Sequence, residues 1–349
     1  MNFSKKINNL DLTYIIWLLI LTFMSFCMII IGGLTRLTDS GLSMVDWRPI
    51  LGIIPPINKE SWIGVFNTYK ATPEYKIVNY SMNLNEFKYI FWWEWFHRFF
   101  ARCIGIVFIF PFLYFLLKKY LNKKKLLALF FIFCLGIFQA TVGWWMVKSG
   151  QIDDPFVSAY RLTFHLTNAL IIFSILFWIS LSSIYLRKAR STIKDRNSKF
   201  FIFIIFLLFI TIISGGFMAG TGAGQSFNTF PLMNGEIFPN DYFLNENKLL
   251  NLFENTVAIN FNHRWLASLT FIFTLSFIIY LLFFTIKKHH ALSLYIVIFF
   301  ISIQFFLGIL TLLNNVPISL ASMHQTNSVL LLASVFFAYH KYKYRKESL

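Results

Sequence analysis

Four of the seven histidines in this chain stand in two matched settings. Glu94-Trp-Phe-His97-Arg98 has a counterpart in Asn260-Phe-Asn-His263-Arg264, and His165-Leu-Thr-Asn168 has one in His324-Gln-Thr-Asn327. A neutral imidazole is a good axial ligand for haem iron, and two of them allow a six-coordinate site. Each histidine taken alone also fits a ring at a membrane interface, satisfied by a neighbouring hydroxyl or carbonyl. Their recurrence as two equivalent pairs favours the ligand reading, because ionisable residues inside apolar spans are costly and usually mark function.

The two settings differ at one position that matters for chemistry. Glu94 lies three residues before His97, on the same helix face, whereas the equivalent residue before His263 is Asn260. A carboxylate beside Trp92, Trp93 and Trp95 is expected to be poorly hydrated and fitted to accept and pass protons, which an amide cannot do. The first half is therefore expected to perform proton-coupled chemistry, and the second to hold an electron-carrying haem. The plainer reading of Glu94 is an interfacial acid paired with Arg98 or Arg36. Arg98 and Arg264 could pair with haem propionates, or snorkel to the interface, since an i+1 neighbour points about 100° away from its histidine. The runs Phe91-Trp92-Trp93 and Trp144-Trp145 suit a porphyrin face, but also an interfacial aromatic belt.

The elements that must position these residues follow from composition. Of the 349 residues, 57% are hydrophobic and 13% charged, too apolar for one soluble domain. Eight apolar runs, each long enough to cross about 30 Å of hydrocarbon as a helix, start near Tyr14, Trp95, Leu126, Thr163, Lys199, Phe261, Leu292 and Pro317. The net charge of +16 would point to nucleic acid in a soluble protein; here the basic residues alternate with the apolar runs and set topology instead. Nineteen Lys and Arg lie at the two ends and in the loops after the second, fourth and sixth spans, against nine in the opposite loops. The positive-inside rule then puts both termini in the cytoplasm. The segment MNFSKKINNLDLTY has no small-residue cleavage site, so it is expected to lead into an uncleaved first span of a bacterial inner membrane. Cys27, Cys103 and Cys134 lie in apolar stretches without metal spacing, so no disulfide or zinc site is expected. Two outer segments, about 34–91 and 220–260, are long enough to cap a site.

The chain compared with itself gives the same four-span pattern twice. Gly32-Gly33 pairs with Gly215-Gly216, Gly41 with Gly224, and Ser43 with Ser226; Gln139 precedes Gly143 as Gln304 precedes Gly308. Because each half has an even number of spans, the repeat is parallel and both histidine pairs face the same, outer side. The expected fold class is thus an all-α integral membrane protein of eight transmembrane helices, built as two parallel four-helix-bundle repeats over residues 1–190 and 191–349. Thr221-Gly-Ala-Gly224 follows a membrane helix, which rules out a dinucleotide-binding reading.

On these residues the chain resembles the haem A synthase family, in particular the type shared by alphaproteobacteria and mitochondria. The resemblance covers nearly the whole chain and is carried by Gly32-Gly-Leu-Thr-Arg-Leu-Thr-Asp-Ser-Gly-Leu-Ser-Met-Val-Asp-Trp47, Phe91-Trp-Trp-Glu-Trp-Phe-His-Arg98, Gly143-Trp-Trp-Met-Val-Lys-Ser-Gly150, Asn228-Thr-Phe-Pro-Leu-Met-Asn-Gly235, His263-Arg264 and Met323-His-Gln325. It implies an enzyme that binds haem b as cofactor in its second half, with His263 and His324 as axial ligands. It places the substrate haem O in the first half, near His97 and His165. The ring methyl at position 8 of haem O would be hydroxylated twice, and loss of water would leave the formyl group of haem A. Glu94 matches the family's essential glutamate. Some bacterial relatives carry a cysteine pair in the first outer loop; none occurs here between Leu34 and Phe91, so a disulfide role does not transfer.

The expected partners are the lipid bilayer and the haem O-producing farnesyltransferase, with no nucleic acid; the sequence leaves a homo-oligomer open. One alternative is a bis-histidine cytochrome b carrying electrons from quinol. Another is an iron-free transporter built from parallel repeats.

Overall fold

The computed structural model describes residues 9–46, 51–151, 154–185, 195–285 and 291–344. Trp47, the basic residues at 5–6, 187–194, 287–288 and 345–346, and the pair His289-His290 lie outside the described residues. Among the described residues the chain is helical, with one isolated bridge between Met233 and Glu236. Seven helices are long and apolar enough to cross a membrane. They are α1 (Asn9–Leu37), α4 (Leu84–Leu117), α5 (Lys123–Ser149), α6 (Ala159–Tyr185), α7 (Arg196–Thr221), α9 (Thr256–Phe284), which the one-turn α8 (Asn251–Glu254) precedes, and α10 (Leu292–Leu313).

A further helix, α11 (Ile318–Lys343), is equally long but more polar, and its polar side chains bond within the protein. Gln325 Nε2 donates to the Ile29 carbonyl at 2.9 Å, and Asn327 Nδ2 to Gln304 Oε1 at 2.8 Å. The helix packs against α1, α6, α7 and α10, and one unbroken cluster that includes Leu332, Val335 and Tyr342 joins it to α6, α7, α9 and α10. Its low apolarity therefore reflects a central position, where polar groups find partners in neighbouring helices.

Local sequence explains the helix starts. Asn83 and Glu86 form a reciprocal capping box that begins α4 at Leu84, well before the apolar run at Trp95. Asn255 caps α9 at Thr256, also ahead of the apolar stretch. His97 consequently lies more than three turns into α4, and His263 about two turns into α9. His165 and His324 occupy matched positions near the starts of α6 and α11.

The stretch between α1 and α4 folds into α2 (Lys59–Lys70) and α3 (Pro73–Ile77). Trp62, Phe66 and Tyr69 of α2 pack on Phe87, Ile90 and Phe91 of α4 as a separate aromatic cluster. Within it, Tyr69 Oη donates to Glu74 Oε2 at 2.9 Å and accepts from Asn79 Nδ2 at 2.8 Å. Burial, more than any neighbour, pushes the Glu74 carboxyl up to about 8, and burial also raises the Tyr69 phenol. The stretch between α7 and α9 is held by Asn255, whose Nδ2 donates to the Asp241 and Tyr242 carbonyls at 2.7 and 3.0 Å, and by Tyr242 Oη donating to Asn262 Oδ1 at 2.9 Å. Cys27, Cys103 and Cys134 are free thiols.

Candidate functional site

Each of the four histidines lies against a glycine of a neighbouring helix. A β-carbon on Gly32 would sit 3.3 Å from His97 Nε2, and one on Gly215 would sit 3.3 Å from His263 Cε1. On the other side of each pair, a β-carbon on Gly143 would fall 2.9 Å from His165 Cε1, and one on Gly308 would fall 3.0 Å from His324 Cε1. A β-carbon at 143 or 308 would crowd its ring and one at 32 or 215 would press on it, so glycine lets these helices approach the rings closely. His97 and His165 are within electrostatic reach of each other, and so are His263 and His324.

The support behind His165 and His324 is also repeated. Asn168 Nδ2 donates to Gln139 Oε1 at 2.7 Å, and Asn327 Nδ2 to Gln304 Oε1 at 2.8 Å. This bond orients each glutamine so that its amide nitrogen faces the imidazole. Gln139 Nε2 lies 3.1 Å from His165 Nε2, and Gln304 Nε2 lies 3.2 and 3.3 Å from Nδ1 and Nε2 of His324.

The acid and its amide counterpart sit in matched but chemically different surroundings. Glu94 is 2% exposed; its Oε2 accepts from Ser43 Oγ and from the Met44 backbone N–H, both at 2.7 Å, and its Oε1 accepts from Arg98 Nη2 at 2.5 Å. The pairing with Arg98 is the one the plainer sequence reading named, yet the carboxylate is buried and also held by Ser43 and Met44. Arg36 instead pairs with Asp39 and donates to the Ala219 carbonyl at 2.9 Å. Asn260 is fully buried and donates to the Ala223 carbonyl at 2.7 Å, while its Oδ1 has no partner among the described residues. Arg98 and Arg264 make one equivalent bond each, to the Met44 carbonyl at 3.1 Å and the Phe227 carbonyl at 3.0 Å. Nε and Nη1 of Arg264 are buried without a partner among the described residues, two donors suited to an anionic group.

These donor sets fit haem better than a bare ion. No group of three or more His, Cys, Asp or Glu able to hold a metal occurs among the described residues, and a porphyrin supplies the four equatorial donors that two imidazoles lack. The glycine-flanked rings and the unpartnered Arg264 donors match a flat ligand with carboxylate substituents. Recurrence along the chain marks the histidines, glycines and glutamines, and a break in it marks Glu94. Ser214, whose Oγ lies 2.7 Å from His263 Nδ1, carries no such mark, because Ile31 stands at the equivalent position.

A family model described as cytochrome oxidase assembly protein matches residues 15–336. A protein of Nitrosospira multiformis named Heme A synthase is 41% identical over 335 residues, covering 93% of this chain and 92% of its own. Heme A synthase of Wolbachia pipientis subsp. Culex pipiens is 43% identical over 321 residues, covering 91% and 94%. That of Pelagibacter ubique is 41% identical over 331 residues, covering 93% and 95%. The electron-carrying cytochrome and the transporter find no support in these relatives. With matches of this extent to proteins of one name, the chain belongs to the haem A synthase family.

Proposed function

We propose that this chain is a membrane oxidoreductase that converts haem O to haem A by oxidising the methyl group at ring position 8 to a formyl group through two hydroxylations and loss of water. The observation that carries the proposal is the doubled imidazole site with a buried carboxylate on one side only. Haem O, the substrate, occupies the first half between His97 and His165. Haem b is held in the second half by His263 and His324, with Arg264 donating to a propionate. When bound there, it supplies one-electron chemistry.

Glu94 takes up protons released as the methyl group is oxidised, while Ser43, the Met44 N–H and Arg98 fix its carboxylate in place. Asn260 in the second half cannot take up a proton, which accords with a half that only carries electrons. The glycines keep the helices close to the rings, and the glutamines orient His165 and His324.

The architecture we propose for this work is eight membrane spans in two parallel four-helix repeats, residues 1–190 and 191–349, with α11 as the eighth. The matched contacts at Gly143 and Gly308, and at Arg98 and Arg264, support it. Both termini lie on the cytoplasmic side of a bacterial inner membrane and both sites toward the periplasm, as the distribution of Lys and Arg favours. The isoprenoid tail of haem O prefers hydrocarbon, so substrate reaches its site from the lipid, handed on by the farnesyltransferase that makes it. Coexpression with a haem O-producing enzyme, followed by extraction and chromatography of the haems, tests the proposal. Formyl haem is the expected product, and its absence beside abundant haem O would refute it.

A further inference from the structure

His263 has an attachment that none of the other three candidate ligands shares. Ser214, one residue before Gly215 on α7, places its Oγ 2.7 Å from His263 Nδ1. The same Oγ lies 2.7 Å from the Thr211 carbonyl oxygen. A carbonyl can only accept, and a serine has one hydroxyl proton, so Ser214 donates to Thr211 and its oxygen is left to accept from the ring. Thr211 Oγ1 is tied to Thr270 Oγ1 on α9 at 2.8 Å. The serine oxygen therefore faces Nδ1 from a helix turn that is pinned to the helix bearing the histidine.

The first half lacks this arrangement. Counting back from the paired glycines, the residue equivalent to Ser214 is Ile31, which has no side-chain acceptor. His97 and His263 thus share a glycine neighbour and a following arginine, yet differ in what stands behind the ring. This asymmetry is independent of the one between Glu94 and Asn260.

We propose that Ser214 is a positioning residue for His263, holding the proton on Nδ1 so that Nε2 is the nitrogen presented to iron, and thereby setting the electron affinity of the second-half haem. The inference rests on the assignment of haem b to His263 and His324. A ligating histidine whose other N–H donates to an acceptor is a stronger electron donor to the metal, which favours the ferric form and lowers the reduction potential. The carrier haem is in this way made different from the substrate haem, whose ligand His97 lacks the serine.

The test uses the full-length protein purified from a host without haem O, so that the only haem is the one in the second half. Midpoint potential and low-temperature electron paramagnetic resonance are recorded for wild type, Ser214→Val, Ser214→Ala and Ser214→Thr. Ser214→Val is expected to shift the ferric-to-ferrous ratio at a fixed potential about tenfold toward ferrous, about 59 mV upward for a one-electron couple, and to alter the bis-imidazole resonance. Ser214→Ala takes no extra room and is expected to move the potential in the same direction, while Ser214→Thr keeps the hydroxyl and the wild-type potential. A bis-histidine haem b whose potential and resonance are unchanged in both the Val and the Ala variants would overturn the role of Ser214 alone. Wild-type protein that binds no haem would overturn this inference together with the proposed function.

Discussion

Gly33 of α1 and Gln325 of α11 approach so closely that a β-carbon on the glycine would lie 2.0 Å from Gln325 Oε1. One residue earlier, Gly32 faces His97; one residue earlier than Gln325 is His324. The second glycine pair does the same in reverse, with Gly215 against His263 and Gly216 near Thr163, where a β-carbon would meet Oγ1 at 3.0 Å. In each pair, one glycine adjoins a histidine, on α4 or α9, and the other adjoins a second helix, α11 or α6.

Gly33→Ala should therefore loosen the packing of α11 on α1. The Gln325 amide must move and its 2.9 Å bond to the Ile29 carbonyl is lost, a cost of about 1–3 kcal/mol. Thermal unfolding in detergent is expected to show a lower midpoint, and Gly33→Ala with Gln325→Ala is expected to recover part of it.

The matched glycines on α5 and α10 should have separable effects. A β-carbon at Gly308 lies 3.0 Å from His324, so Gly308→Ala is expected to lower bound haem b. Gly143→Ala, with its β-carbon 2.9 Å from His165, is expected to leave haem b in place and reduce formyl haem. Haem content by absorption and haem type by chromatography check the pair.

Glu94→Gln keeps the shape of the side chain but removes the proton acceptor. Formyl haem production is expected to fall about 100-fold or more, with haem b retained. Normal output measured in membranes of the coexpressing host would remove Glu94 from the proposed chemistry.

The cap that α2 and α3 form on α4 should respond to pH through Glu74. Its carboxyl rises from 4.5 to about 8 on folding, so the folded cap favours the neutral acid. That contribution is complete below pH 4.5 and is lost as pH rises through about 8. Hydrogen exchange of α2 and α3 is expected to quicken between pH 5 and pH 9 in wild type, beyond the intrinsic rate, and Glu74→Gln is expected to flatten that dependence.

Much of this organisation was legible in the sequence because it is written twice. Apolar runs located the membrane helices, and recurrence singled out the histidines, their glycines and the Gln139 and Gln304 positions. Helix starts were less legible: α4 begins at Leu84 because the Asn83–Glu86 box and the aromatic cluster with α2 extend it beyond the apolar stretch. Hydropathy also understates α11, whose polar residues bond to α1 and α10. Contacts that join the halves, such as Gly33 with Gln325, carry no local signal, and Ser214 escapes a search for repeats because Ile31 breaks the symmetry.

The division of labour between the two histidine pairs is tested most directly by the absorption spectrum of the purified protein and its four single His→Ala variants. His263→Ala and His324→Ala are expected to lose the haem b bands while His97→Ala and His165→Ala keep them. Bands that survive in His263→Ala and His324→Ala but vanish in His97→Ala or His165→Ala would contradict it.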